Sequence, residues 1–256
     1  MRCAGWQNPR MKVADGFHRL GPGVVNVYLL EEAGEITIID AGMPGDWSDL
    51  LRELAAMGRT LDDVRALVLT HGHSDHIGFA ERARRERGWI PRVHELDAAL
   101  ARGEVPNPAK GGGPIRPIPL LSFLLLGLRR GALRQTPIGE VATYGDGATL
   151  DVPGAPRVIL APGHTPGCAA LHVASRDALF VGDVLSTYAV TNGSTGPMIA
   201  PFTADPAQAV ASMDRLAGVE ARWVLPGHGQ PWTGGVGEAV RRVRAAGPDG
   251  MGRPAS

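Results

Sequence analysis

The sequence predicts a single α/β domain in which helices cover the outer faces of two β-sheets. Short runs rich in β-branched residues alternate along the chain with longer segments whose apolar residues follow helical spacing. Asp or His also stands directly after five of the strand-like runs. With 256 residues the chain is long enough to bury a large core, and the even distribution of both signals favours one domain over two.

The N-terminal half begins with a predicted hairpin that turns at Ala33-Gly34, because β-branched runs flank this pair. A helix with apolar residues on one face follows and ends near Gly58. A fully apolar strand and an arginine-rich helix complete this half. The predicted elements are strands at 24–30 and 35–39, a helix at 46–57, a strand at 66–70 and a helix at 77–87.

The C-terminal half continues the alternation of strand and helix signals. Its predicted elements are strands at 157–161, 169–173 and 178–181, a helix at 206–217, a strand at 222–225 and a helix at 237–246. The two ends, residues 1–12 and 247–256, are predicted to be flexible tails, the second because it is rich in glycine and proline.

The segment from His71 to His76 predicts a metal site. It places three histidines and one aspartate within six residues, directly after a strand-like run. Imidazole and carboxylate groups are ligands that zinc and similar divalent ions prefer. His71 and His73 can point at one ion, while Asp75 and His76 lie beyond the next turn and can reach a second ion.

Four further candidate residues lie between small, turn-forming residues after apolar runs: Asp40, His164, Asp183 and His228. Alone, each is weak, because a histidine between glycines or a single aspartate is typical of a turn or a helix cap. Functional groups collect on loops beyond strand ends in sheets covered by helices, so we expect these residues to meet the His71 segment.

These junctions, in this order, resemble the metallo-β-lactamase superfamily over roughly residues 24–243. The resemblance implies a four-layer αβ/βα sandwich of two mixed sheets with outer helices. It implies one ion held by His71, His73 and His164, a second held by Asp75, His76 and His228, and Asp183 as the bridge between them. Asp40 would support the cluster by hydrogen bonding and would not bind metal. With Asp and not Cys at the bridge, the chain looks like the glyoxalase II, lactonase and thioesterase branches.

The implied cofactors are two divalent ions, with zinc favoured and iron or manganese as alternatives. Such ions lower the pKa of bound water, so a metal-bridging hydroxide would attack a substrate carbonyl. Asp75 is a candidate proton shuttle to the leaving group, and Tyr188 is a candidate donor to the oxyanion. No serine or cysteine nucleophile is required.

An insertion at about 105–140 interrupts the alternation with three glycines, several prolines and the apolar run 120–128. About ten apolar residues are too few to span a bilayer. Residues 117–134 are predicted either as a lid that offers a substrate tail an apolar pocket, or as a core helix or dimer contact. A membrane-surface role ranks third, because the arginines cluster at one end of the segment.

The 26 basic and 26 acidic side chains balance, which argues against nucleic acid as a partner. Two cysteines and an N-terminus without an apolar leader predict a cytoplasmic protein. The favoured function is hydrolysis of a thioester or lactone in a small molecule, with self-association left open. Alternatives are a phosphodiesterase, an iron-dependent oxidoreductase of the sulfur dioxygenase type, and a non-catalytic metal-binding module.

Overall fold

The computed structural model describes residues 11–14, 16–21, 23–109, 111, 113–134 and 136–255. Most of the predicted N-terminal tail therefore lies outside the described residues. The fold class is confirmed, because two mixed sheets pack face to face and helices cover their outer faces.

The first sheet has seven strands in chain order, of which the first four are antiparallel and the last three extend it in parallel. The predicted hairpin is present, and Ala33 and Gly34 both adopt positive φ at its turn. The strands are β1 Met11–Ala14, β2 Phe17–Leu20, β3 Val27–Glu32, β4 Glu35–Ile39, β5 Val64–Val68, β6 Arg92–His94 and β7 Ala142–Tyr144.

The second sheet has four strands in the order β13-β10-β9-β8, and a separate two-stranded hairpin, β11-β12, lies beside it. The strands are β8 Arg157–Leu160, β9 Ala169–Val173, β10 Ala178–Gly182, β11 Ser186–Tyr188, β12 Thr195–Met198 and β13 Trp223–Pro226. The pairing of β10 with β13 is parallel, so both strands deliver their following loops to the same edge.

The helices are α1 Trp47–Ala56, α2 Ala80–Arg87, α3 Ala98–Ala101, α4 Pro117–Arg129, α5 Pro206–Leu216 and α6 Val236–Ala246. Residues of α1 and α2 pack on one face of the first sheet, and residues of α5 and α6 pack on the outer face of the second. Between the sheets lies a third apolar cluster that includes Tyr28, Phe180 and Leu225. Successive side chains of β3 and β4 point alternately into the cluster under α1 and α2 and into the cluster between the sheets, as expected for strands buried on both faces.

The structure differs from the sequence predictions in its short strands and at the C-terminus. Strands β6, β7 and β11 were not predicted. Each has only three residues, too few for an alternation of apolar and polar side chains to be recognised. The segment predicted as a flexible C-terminal tail packs against the domain: Pro248–Gly250 forms a 3-10 helix and the Gly252 N–H donates to the Ile199 carbonyl at 3.0 Å. That contact gives the backbone partners a free tail would lack.

The insertion contains helix α4, held at both ends. Before the helix, the Arg116 N–H donates to the Thr191 carbonyl at 2.9 Å, and after it the Gly45 N–H donates to the Arg130 carbonyl at 2.8 Å. Within α4 only Gly127 is buried, so the helix does not fit the core alternative. Among the described residues, none of the helices is long and apolar enough to cross a membrane.

Candidate metal centre

The seven candidate metal ligands meet at one edge of the sandwich. Their loops follow β5, β8, β10 and β13, whose ends the sheet pairing brings together. Six of the seven are buried, and the Asp75 side chain is about 20% exposed. The structure therefore brings together every residue predicted as a ligand: His71, His73, Asp75, His76, His164, Asp183 and His228.

The first group of donors is His71, His73 and His164. One nitrogen of each ring lies within 4.8 Å of the others. His73 Nδ1 and His164 Nε2 are 2.8 Å apart, and His71 Nε2 is buried without a hydrogen-bond partner among the described residues. Three ring nitrogens facing one point make a set that fits a divalent cation.

The second group is Asp75, His76 and His228, again with donor atoms within 4.8 Å of one another. His228 Nε2 lies 3.4 Å from His76 Nε2 and 3.4 Å from Asp75 Oδ2. Asp183 stands between the two groups, because its Oδ2 is 3.3 Å from His164 Nε2 and 3.2 Å from His228 Nε2. This is the position that the resemblance implied for a bridging carboxylate.

Hydrogen bonds at the far side of the rings fix which nitrogen carries the proton. The Thr70 hydroxyl donates to Asp40 and so accepts from His71 Nδ1, while Asp40 Oδ2 accepts from His76 Nδ1 at 3.0 Å. The Thr203 hydroxyl donates to the Ala200 carbonyl at 2.7 Å and accepts from His164 Nδ1 at 3.1 Å. In His71 and His164 this leaves Nε2 as a lone pair that faces the cluster, and in His76 it leaves Nε2 as the nitrogen that faces the cluster.

Asp40 has the supporting position that the resemblance implied. Its backbone has φ +63, a left-handed conformation that Asp tolerates better than most residues. This turn places its carboxylate against the Thr70 N–H at 2.7 Å and against His76. Asp40 thereby orients two neighbouring imidazoles without entering the donor groups.

Asp97 is a positioning residue that sequence reasoning missed. Its fully buried carboxylate accepts from the Gly72 N–H at 2.8 Å, the Gly167 N–H at 2.7 Å and the Thr165 hydroxyl at 2.7 Å. It therefore joins the loop of the first two histidines to the loop of His164. Nothing in the local sequence marks Asp97, because its partners are 25 to 70 residues away.

The loop that carries His228 is held by residues at the start of β3 and directly before it. Asn26 Nδ2 donates to the Pro226 and Gly229 carbonyls at 2.8 Å each, and the Tyr28 hydroxyl donates to the Pro226 carbonyl at 2.9 Å. The ring of His228 donates from Nδ1 to the carbonyl of Val24. Gly227 permits the close approach, because a β-carbon there would collide with Asp183 and His76.

Electrostatics divide the centre into two halves. Burial lowers the pKa of His164 to about 3 and holds that of His71 well below its ordinary value, so these rings stay neutral and keep their lone pairs. Burial alone would also lower the pKa of His76, but Asp183, Asp40 and Asp75 raise it to about 10. The second donor group, which contains His76, therefore attracts positive charge. Together, the imidazole nitrogens and the carboxylates of the centre fit two divalent cations.

Tyr188, the candidate oxyanion donor, lies outside the donor groups. Strand β11 pairs Tyr188 with Thr195, while the preceding Thr187 hydroxyl donates to the Gln230 carbonyl at 2.6 Å. Side chains alternate along a strand, so Tyr188 points away from its neighbour and lines a separate cavity with Val24 and Phe123.

A cleft leads from the donors to the surface beneath helix α4. Phe123 lies edge-on to His228, with ring centroids 6.4 Å apart. Phe202 stands at the same cleft and has φ +62, a strained conformation for an aromatic residue. These two rings flank the entrance to the candidate metal centre.

The fold and the donor groups together define a class of protein: an α/β sandwich with two adjoining groups of potential metal ligands at its strand ends. The family model of the metallo-beta-lactamase superfamily matches residues 20–228. The chain belongs to this superfamily.

Among known sequences, the chain is similar to the probable metallo-hydrolase YflN of Bacillus subtilis (strain 168), with 28% identity over 240 residues and 87% of each chain covered. Two solved structures share the fold. The metallo-beta-lactamase family protein TTHA1429 from Thermus thermophilus has a TM-score of 0.65 and 25% identity, covering 91% of this chain and 79% of that one. TTHA1623 in a di-iron-bound form has a TM-score of 0.56 and 26% identity, covering 84% and 92%.

Proposed function

We propose that this protein is a dinuclear metal-dependent hydrolase that cleaves a thioester or lactone whose acyl part is apolar. One observation carries the proposal: a cavity of about 500 Å³ extends from His73 and Asp75 and has mainly apolar walls. An apolar pocket beside convergent polar groups is the usual form of a small-molecule site.

The walls of this cavity, here called the acyl cavity, come from three separate segments. Helix α4 supplies Phe123, Leu124 and Leu128, and Met43 and Phe202 supply further walls. Burial of each methylene of a substrate tail in such a cavity contributes about 0.8 kcal/mol. Binding of an acyl chain there would place its carbonyl carbon near Asp75 and the donor groups.

The proposed ligand sets are the two donor groups with Asp183 between them. Two bound divalent ions would supply a water of lowered pKa at neutral pH. Asp75 is the most exposed donor and faces the acyl cavity. Although burial raises the pKa of Asp75, His76 and His228 lower it below its ordinary value, so Asp75 is ionised and can accept a proton for the leaving group.

Zinc is the proposed metal, because the donors are mainly imidazoles. The di-iron form of TTHA1623 makes iron the alternative to test. Elemental analysis of protein purified without added metal distinguishes them: about two zinc ions per chain supports hydrolysis, and iron in their place supports oxygen chemistry. Hydrolysis of diesters of phosphate is the other alternative, which the apolar walls disfavour.

The structure offers a matched pair of leucines to test the acyl cavity. Leu124 lines the cavity, whereas Leu121, one turn earlier on α4, does not line it and has nearly the same exposure, 57% against 53%. We expect Leu124→Ala to lower kcat/KM for a decanoyl thioester by about tenfold, as the loss of buried methyl groups predicts. The same change should affect an acetyl thioester by less than about twofold.

Leu121→Ala is the control and should leave both substrates unchanged. Equal losses for the long and short substrates in Leu124→Ala would contradict the acyl cavity. Turnover of bis-aryl phosphates, with none of thioesters or lactones, would replace the proposed function by phosphodiester hydrolysis.

A further inference from the structure

A second cavity adjoins the metal centre on the other side of Phe123. It has a volume of about 480 Å³, and its apolar walls include Val24, Ile118 and Leu126. Unlike the acyl cavity, it is also lined by three arginines and a tyrosine: Arg52, Arg129, Arg130 and Tyr188. It is here called the basic cavity.

Charge pairing in the basic cavity leaves one arginine without a carboxylate partner among the described residues. Arg130 pairs with Asp46, at 2.9 Å, and also with Asp49. Arg52 pairs with Asp49 as well. Arg129 has no carboxylate partner among the described residues, so three arginines face two carboxylates and one positive charge is uncompensated.

Tyr188 adds a hydrogen-bond donor to the same space. Its side chain is partly buried, and no described residue accepts a hydrogen bond from its hydroxyl. Burial raises its pKa, so the hydroxyl keeps its proton at neutral pH. A phenol donor and the Arg129 guanidinium, which line the same cavity, can offer a hydrogen bond and a positive charge to an anionic oxygen group.

The basic cavity adjoins the second donor group. Val24 lines the cavity, and its carbonyl accepts the hydrogen bond from the His228 ring. Phe123 lines both cavities and the cleft over the donors. The donor groups therefore adjoin the acyl cavity directly and the basic cavity through Val24 and Phe123, which suits a substrate with one apolar and one anionic part.

We infer that the substrate's leaving group carries a carboxylate or phosphate-type group and occupies the basic cavity. This inference rests on the proposed function in its thioester form and assigns the acyl part to one cavity and the anionic thiol to the other. In the reaction, water adds its oxygen to the acyl carbon and the bond from carbon to sulfur breaks. One proton from that water leaves with the thiol.

The test uses three thioesters of decanoic acid with the same aryl thiol as leaving group. The ring carries a 4-carbamoyl, a 4-carboxyl or a 4-phosphono group, so the first substrate is neutral and nearly isosteric with the second. For each protein the measured quantity is the ratio of kcat/KM for each anionic thioester to that for the neutral one. The carboxyl and phosphono thioesters distinguish the two kinds of anion.

Arg129→Gln is the test variant and Arg134→Gln is its matched control. Arg134 is an exposed arginine of the same segment that does not line the basic cavity. We expect Arg129→Gln to reduce the anionic-to-neutral ratio by about tenfold, because a charge-assisted hydrogen bond in a partly enclosed site is worth about that factor. Arg134→Gln should keep the wild-type ratio.

Tyr188→Phe is a second variant that keeps the shape of the side chain. It should reduce the ratio by about threefold, as the loss of one hydroxyl donor predicts. An unchanged ratio in both Arg129→Gln and Tyr188→Phe, with all three thioesters hydrolysed, would overturn the inference and leave thioester hydrolysis in place. Hydrolysis by wild-type enzyme of none of the three thioesters, and of no lactone with an apolar acyl chain, would instead overturn the proposed function itself.

Discussion

The metal centre and helix α4 face each other across one cleft but are held in very different ways. In the centre, the candidate ligands are mostly buried, and three of the rings are oriented by hydrogen bonds that they donate to Asp40, Thr70 and Thr203. Helix α4 has one buried residue and is held mainly at its ends. The candidate ligands thus lie on an edge of the sandwich that many hydrogen bonds fix, whereas the proposed acyl cavity depends on an insertion that is held mainly at its ends.

The largest expected effect comes from the carboxylate between the two donor groups. Asp183→Asn keeps the size of the side chain but removes its negative charge, so it weakens the hold on both proposed ions. We expect kcat/KM to fall by about a thousandfold or more, beyond the 10- to 100-fold typical of supporting residues. Metal content and activity measured on the same preparation check this.

The control for that change lies at the other end of the same strand. Asp177 precedes β10, and its carboxylate accepts from the Arg222 N–H at 2.9 Å. Its φ of +53 suits Asn as well as Asp. Asp177→Asn should keep full metal content and activity, and a loss similar to that of Asp183→Asn would show that the effect is general to this sheet.

Asp97 gives the next largest effect, because it acts on the centre through its loops. Asp97→Asn replaces an acceptor with an amide N–H that faces backbone donors, so the loops of His73 and His164 separate. We expect metal affinity to fall by about 10- to 100-fold. A competition titration with a chromogenic chelator measures this.

A purely structural role for Asp97 makes a different prediction. Val240→Ala, on the buried face of α6, should lower the free energy of unfolding by about 1 kcal/mol without touching either loop. If its metal affinity falls as far as that of Asp97→Asn, then Asp97 acts only through general stability.

These two predictions separate what the sequence predicts from what it does not. The centre was predictable because each ligand follows a strand-like run and carries metal-binding chemistry, so the order of the strands was not needed to find it. Asp97 was not, because its role depends on β6 and on contacts with two distant loops. Its sequence neighbours give no sign of those contacts.

The insertion shows the other limit of sequence reasoning. The apolar run at 120–128 predicted a helix, and helix α4 is present. Whether that helix belonged to the core, a lid or an interface depended on which side chains the rest of the domain covers. Only the tertiary structure shows that Phe123 and Leu124 face the cleft while Leu121 faces outward. Because the helix is apolar on all sides, its sequence does not indicate which face packs against the domain.

The anchor of α4 predicts a moderate effect that depends on pH. Arg130 pairs with the buried Asp46, and burial raises the pKa of Asp46 to about 6 even though Arg130 lowers it. Arg130→Met leaves this carboxylate without its cation, which should lower the free energy of unfolding by about 1 to 3 kcal/mol at pH 8. Because Arg130 is partly exposed, the lower end of this range is expected.

The sign of the pH dependence follows from the raised pKa. A carboxyl whose pKa is higher in the folded than in the unfolded state favours folding when protonated, so this contribution to stability grows as the pH falls through about 6. The loss of unfolding free energy that Arg130→Met causes should therefore be smaller at pH 5 than at pH 8. Urea unfolding of both proteins at the two pH values measures this loss. A loss that is larger at pH 5 would exclude Asp46 as the group that Arg130 stabilises.

The smallest effect is expected on the outward side of α4. Leu121→Gln changes an exposed side chain that lines neither cavity, so the free energy of unfolding should change by less than about 0.5 kcal/mol and kcat/KM should not change. Sedimentation velocity of both proteins over a hundredfold range of concentration completes the test. A wild-type dimer that Leu121→Gln dissociates would show that a second copy covers this side, and the contrast between a centre fixed by hydrogen bonds and an open helix would then hold only for the monomer.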